Sequence, residues 1–130
     1  MSIPTEGQLL RIFVGEADRW HGQPLYEAIV EAARREGLAG ATVWRGCMGF
    51  GAHSRMHTAK ILRLSEDLPM IIEIVDAPEQ IRAFFPTLDG MVTEGLVTLE
   101  RAEVLMYRAP DKPVPRYPPP GVRPRSDPNA

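Results

Sequence analysis

The chain has 130 residues, 44% of them hydrophobic and 25% charged, which suits one globular domain. Fifteen basic residues against 17 acidic ones leave a net charge of -2, too little for an electrostatic footprint on nucleic acid or an anionic membrane. No apolar run approaches the roughly 20 residues of a membrane span, no basic-then-apolar leader opens the chain, and the single Cys47 excludes an internal disulfide framework, so a cytoplasmic protein without direct membrane insertion is expected.

From Gln8 to Gly15, Leu10, Ile12 and Val14 alternate with Leu9, Arg11 and Phe13, the period of a strand. His21, beside Trp20 and Gly22, reads as a surface turn residue. Pro24 suits the first turn of a helix, Leu25, Ile29 and Ala32 or Ala33 recur at helical spacing, and Gly37 suits the C-terminal cap, so an amphipathic helix ends near Glu36. Ala41 to Cys47 returns to a strand through Thr42, Val43 and Trp44, with Gly46, Gly49 and Gly51 ending or bulging it. Cys47 reads as a small buried hydrophobe. A long loop over 49–67 follows, with strand-like structure resuming at Ile61, Leu62 and Leu64 before a turn at Ser65-Glu66-Asp67.

Met70 to Val75 is the next strand. Asp76 and Glu79 form a D-x-x-E capping pattern, Pro78 sits in the first turn, and Ile81, Phe84, Phe85, Leu88, Met91 and Val92 make an apolar helical stripe. Pro86 inside that stripe predicts a kink or break. Gly95 is expected to end the helix, and Val104 to Tyr107 is expected as the last strand. Eight of the last 22 residues are proline, which separates an extended, solvated tail over 109–130 from a domain over 1–108.

The order strand, helix, strand, loop, strand, helix, strand is the α+β, ferredoxin-like βαββαβ arrangement, with a long loop between its second and third strands. Both helices then lie on one face of a four-stranded antiparallel sheet, against Leu10, Ile12, Val14, Ile72, Ile74, Val104 and Met106. The other face exposes Leu9, Phe13, Trp44, Ile71, Val75, Leu105 and Tyr107 around three charges, an apolar area large for a monomer, and is expected to pack against other subunits. There Arg11 is expected between Glu73 and Glu103.

The densest polar chemistry is the run from Gly49 to Lys60, with Phe50, Gly51, His53, Arg55 and His57 inside it. Gly49 and Gly51 supply either the backbone angles of a turn or a close approach of main chain to ligand. His53 and His57 are weak metal candidates, because with Cys47 and Met56 they do not match a closed zinc spacing. As loop imidazoles they donate toward an anion when protonated. Ser54 near His57 comes closest to a nucleophile pattern but lacks an orienting third group, so the chain reads as a binding protein and not an enzyme.

Gly37-Leu38-Ala39-Gly40-Ala41-Thr42-Val43, the Gly49-Phe50-Gly51 step and Ile71-Ile72-Glu73-Ile74-Val75 resemble the corresponding stretches of PII signalling proteins. Leu62-Arg63-Leu64-Ser65-Glu66-Asp67-Leu68-Pro69, preceded by Ser54-Arg55-x-His57-Thr58-Ala59, resembles the domain-of-unknown-function family 190, a PII-like branch, over residues 6 to 108. The resemblance implies a homotrimer whose sheets face inward, with Arg11, Phe13, Glu73, Glu103 and Tyr107 at the interface. It implies a small-molecule effector in clefts between subunits, held by residues among Thr42, Arg45, Gly49, Phe50, Gly51, His53, Arg55, His57, Lys60, Glu94 and Gly95. It also implies that the 49–67 loop regulates a transporter or channel.

One departure narrows the effector. PII proteins hold nucleotide phosphates partly through a glycine- and lysine-rich turn after the second helix, where this chain has Thr93-Glu94-Gly95-Leu96-Val97-Thr98-Leu99-Glu100. Without the lysine, acidic residues oppose ATP with magnesium in that pose. AMP, ADP or a small anion is easier to hold, with Arg45, Arg55, Lys60 and Arg63 as the available cations. Two other readings stay open: a trimeric divalent-metal-binding protein similar to the cation-tolerance proteins of this fold, and a structural adaptor whose proline-rich tail engages an aromatic-lined groove through Tyr117 and its neighbours.

Overall fold

Residues 5–51, 57–58 and 67–108 are described by the computed structural model. Along the chain come β1 (Thr5–Gly15), β2 (Arg19–Trp20), β3 (Gln23–Pro24), α1 (Leu25–Arg35), β4 (Thr42–Arg45), β5 (Met48–Gly49), β6 (His57–Thr58), β7 (Pro69–Asp76), α2 (Pro78–Met91) and β8 (Leu96–Val104). The main sheet has the order β4-β7-β1-β8, antiparallel throughout. With α1 leading from β1 toward β4 and α2 joining β7 to β8, this is the expected α+β ferredoxin-like fold. Two short ladders stand apart: β2 with β3, turned by His21 (φ 48) and Gly22 (φ 86), and β5 with β6.

The alternation of β1 decides where the core lies. Leu10, Ile12 and Val14 are buried beside their register partners Ile74, Ile72 and Met70 on β7. Onto this face α1 lays Leu25, Ala28, Ile29, Ala32 and Ala33, and α2 lays Ile81, Phe84, Leu88 and Met91. Burying each large aliphatic side chain stabilises the fold by about 1.5–3 kcal/mol, so the helices stay on the side where the even-numbered β1 residues point.

Several expectations need correction. The last strand starts at Leu96, and only Val104 of the expected segment belongs to it. β8 is an edge strand with one neighbour and only half-buried or exposed residues, so its sequence carries no clean alternation. Val104 is only half-buried, and Met106, at 64% exposure, lies outside the core. The same shift alters the ion pairing: Glu103 stands opposite Glu6, while Glu100 reaches Arg11. Glu100 and Glu103 are three positions apart and so point to opposite faces of the strand.

α2 runs through Pro86 without a break. Pro86, Arg82 and Phe85 are all exposed, so the carbonyl that loses its helical partner faces water. α2 stops at Met91 with Val92 as its C-cap, not at Gly95. Gly95 (φ 156) instead carries the chain into β8, where a Cβ would stand 2.6 Å from the Phe13 carbonyl oxygen. Asp76 does not cap α2; the N-cap is Ala77. Asp76 is buried at the end of β7, and its carboxylate accepts from the backbone N–H of Ala77 (2.7 Å) and of Ala39 (2.9 Å). A buried carboxylate requires such donors, and these two tie the α1–β4 link to the start of α2. Cys47 is exposed, because β4 ends at Arg45 and the chain leaves the sheet. The strand expected at Ile61 to Leu64 and the tail over 109–130 lie outside the described residues.

Candidate functional site

The register puts the two candidate ligand regions at one end of the sheet. Arg45 pairs with Met70, Met70 with Val14, and Phe13 with Leu96, so the root of the 49–67 loop and the Glu94-Gly95 turn share a level. They sit on opposite edges, because β7 and β1 lie between β4 and β8. Three strand spacings separate them by about 14 Å. Within one chain they do not meet on the same small group.

The loop root is closely packed. Gly46 donates its N–H to the Pro69 carbonyl at 2.7 Å. A Cβ at Gly46 would stand 2.7 Å from Pro69 Cγ, and one at Gly49 3.1 Å from the same atom. Neither glycine has a positive φ, so close packing on the proline ring, and not a special backbone angle, opposes a larger residue, more strongly at Gly46 than at Gly49. Beyond the ring, Met48 pairs with Thr58 and Gly49 with His57, which draws the two sides of the loop together. Phe50 and Gly51 are exposed at its mouth. His53, Arg55 and Lys60 lie outside the described residues, and of His57 only the main-chain pairing is described.

Both roots of the loop hold the turn that follows β1. Arg45 Nη2 meets Glu16 Oε2 at 2.6 Å, the Glu16 N–H donates to the Leu68 carbonyl at 2.8 Å, and the Ala17 N–H donates to Asp67 Oδ1 at 2.7 Å. Asp18 braces the turn from within by accepting from the Gly15 N–H at 2.9 Å. Glu16, Asp18 and Asp67 were missed by sequence reasoning. The signal available was the acidic Gly15-Glu16-Ala17-Asp18 step at a strand end, but its partners Arg45, Asp67 and Leu68 lie 29 to 52 residues away.

The helix-free face carries a second polar system. Arg11 Nε donates to Glu73 Oε2 at 2.8 Å and Nη1 to Glu100 Oε2 at 3.2 Å, while Trp44 Nε1 donates to Glu73 Oε1 at 3.1 Å. This chain crosses all four strands. The hydrogen bond from Arg11, then that from Trp44, lowers the Glu73 carboxyl below its ordinary value, and the bond to Glu73 raises the Arg11 guanidinium. Around it lie Phe13, Ile71, Leu96 (56% exposed) and Trp44 (57% exposed). Thr42, opposite Glu73, is exposed on the same face. The Tyr107 hydroxyl donates to the Ala39 carbonyl at 2.9 Å. Among the described residues, no three His, Cys, Asp or Glu side chains gather in a group able to hold a metal, and no helix is long and apolar enough to cross a membrane.

Comparison with known proteins places this geometry. The family model DUF190 (Uncharacterized ACR, COG1993) matches residues 7–104. A UPF0166 protein of Aquifex aeolicus (strain VF5) is 39% identical over 98 residues, covering 75% of this chain and 92% of the relative. A UPF0166 protein of Methanocaldococcus jannaschii is 35% identical over 100 residues, covering 76% and 92%. Among solved structures, CPII, a nitrogen regulatory PII-like protein from Thiomonas intermedia K12 bound to ADP, AMP and bicarbonate, matches with TM-score 0.54 at 20% identity, covering 78% of this chain and 90% of CPII. CPII bound to ADP and bicarbonate gives 0.52 at 21% identity, over the same shares of each chain. The fold is PII-like.

Proposed function

The chain belongs to the DUF190 family, and from that membership and its PII-like fold we propose that it is a homotrimeric sensor. It binds a small anionic or adenine-containing effector, AMP, ADP or an anion such as bicarbonate, in clefts between subunits. The observation that carries this reading is the placement of the loop root and the Glu94-Gly95 turn at one level on opposite sheet edges. Sheets packed by their helix-free faces bring the loop root of one chain toward the 92–95 turn of the next, completing a cleft that one chain leaves open. The ligands of CPII, namely ADP, AMP and bicarbonate, fit the effector class. ATP with magnesium fits less well, because the turn after α2 carries Glu94 and lacks the lysine of PII proteins. The protein binds without catalysing, works in the cytoplasm, and regulates a membrane transporter or channel through the 49–67 loop.

Sedimentation equilibrium and calorimetry test this together. A trimer at micromolar concentration that takes up AMP, ADP or bicarbonate, and ATP with magnesium more weakly, is the expected result. A stable monomer, or no heat with any of these compounds, overturns it.

A further inference from the structure

Three carboxylates, those of Glu16, Asp18 and Asp67, engage partners at the turn after β1. Asp18 and Asp67 are engaged by backbone N–H groups, of Gly15 and of Ala17. Glu16 is engaged differently: its carboxylate lies 2.6 Å from Arg45 Nη2, with the glutamate side chain 25% exposed and the arginine 56% exposed. Arg45 is also the one cation of the sequence-derived ligand set that falls within the described residues. An anion approaching Arg45 therefore finds that guanidinium already paired with a carboxylate. The backbone of the same glutamate donates to Leu68, and its neighbour Ala17 donates to Asp67, so the residue that holds Arg45 also helps hold the far root of the loop.

We propose that Glu16 is a resident competitor in the effector site: its carboxylate holds Arg45, and an anionic effector binds by taking Arg45 from it. This rests on the sensor reading above and adds to it how the site sets its affinity. The exchange is one carboxylate for another anion at the same guanidinium, with no net loss of ion pairing. A partly exposed pair of this kind is weak enough to be displaced. Once released, Glu16 no longer fastens the β1 turn to β4, so occupancy of the site is felt at the junction that both loop roots share.

The test is calorimetric titration of ADP and of sodium bicarbonate into wild type, Glu16→Gln, Asp18→Asn and Arg45→Ala, with thermal unfolding of each variant as a check on folding. Glu16→Gln removes the competitor while keeping size and hydrogen-bonding capacity. It is expected to tighten anion binding by about two- to five-fold, the range set by an exposed ion pair. Asp18→Asn removes the same charge from the same turn without freeing Arg45, so it is expected to tighten binding by less than half as much. Arg45→Ala is expected to weaken binding and to abolish the gain from Glu16→Gln in the double variant. If wild type binds and Glu16→Gln leaves affinity unchanged, or Asp18→Asn matches it, the competition is refuted and the sensor reading stands. Binding by Glu16→Gln alone keeps the competition and rejects these effectors for the native protein. Silence from both proteins removes both ideas.

Discussion

The two faces of the main sheet are made by alternate residues of the same strands, yet they are built on different principles. On the covered face, Leu10, Ile12 and Val14 meet Ile74, Ile72 and Met70, with no charge among them. On the open face, Leu9, Arg11 and Phe13 meet Val75, Glu73 and Ile71, and the line Glu100, Arg11, Glu73, Trp44 runs across every strand. A face closed by its own helices needs apolar volume and shape. A face with directional ionic groups set among apolar residues can fix the orientation of whatever packs on it.

Substitutions on each face sharpen or break that contrast. The largest effect is expected at Ile72, which is fully buried: Ile72→Ala should lower the free energy of unfolding in urea by about 2–5 kcal/mol. A loss below about 1 kcal/mol would show that the helices do not close this face tightly. On the open face, Phe13→Asp should leave the circular dichroism of the fold intact and weaken self-association by about 2 kcal/mol, roughly 30-fold, as read by sedimentation. Self-association unchanged by the substitution would remove this face from the proposed subunit interface.

The smallest effect is pH dependence. The carboxyl of Glu73 titrates below its ordinary value of 4.5, because Arg11 and then Trp44 donate to it. A group with a lowered folded pKa stabilises the fold above its unfolded pKa and loses that contribution as pH falls through the folded value. Stability should therefore drop on acidification below about pH 4.5, and Glu73→Gln should flatten that part of the curve, as measured by urea midpoints between pH 6 and pH 3. A parallel curve for the variant would assign the acid limb to other carboxylates.

Much of the fold was legible because it is written in short periods. β1 and β7 alternate every second residue, α1 repeats its apolar positions at helical spacing, and Gly37 (φ 81) ends α1 as its sequence suggests. β8 was not legible, since an edge strand with solvent on one side has no strict pattern to satisfy. Asp76 looked like a helix cap from its spacing to Glu79, but the backbone N–H of Ala39, brought in from the α1–β4 link, claims one of its oxygens. At the candidate site the glycines were visible and their partner was not, because Pro69 lies 23 residues beyond Gly46 and 20 beyond Gly49.

By itself the sequence determined the order of elements, the face of β1 that is buried, and the family to which the loop and its flanking strands belong. These depend on neighbours within a few positions, where backbone geometry links spacing directly to direction. Only the tertiary structure decided that Arg11 is shared by Glu73 and Glu100, that Gly46 and Gly49 pack on one proline ring, and that Glu16 holds Arg45 where both roots of the loop converge. Those contacts join residues separated by 20 to 89 positions. No local period encodes them, since their partners are chosen by strand order and register.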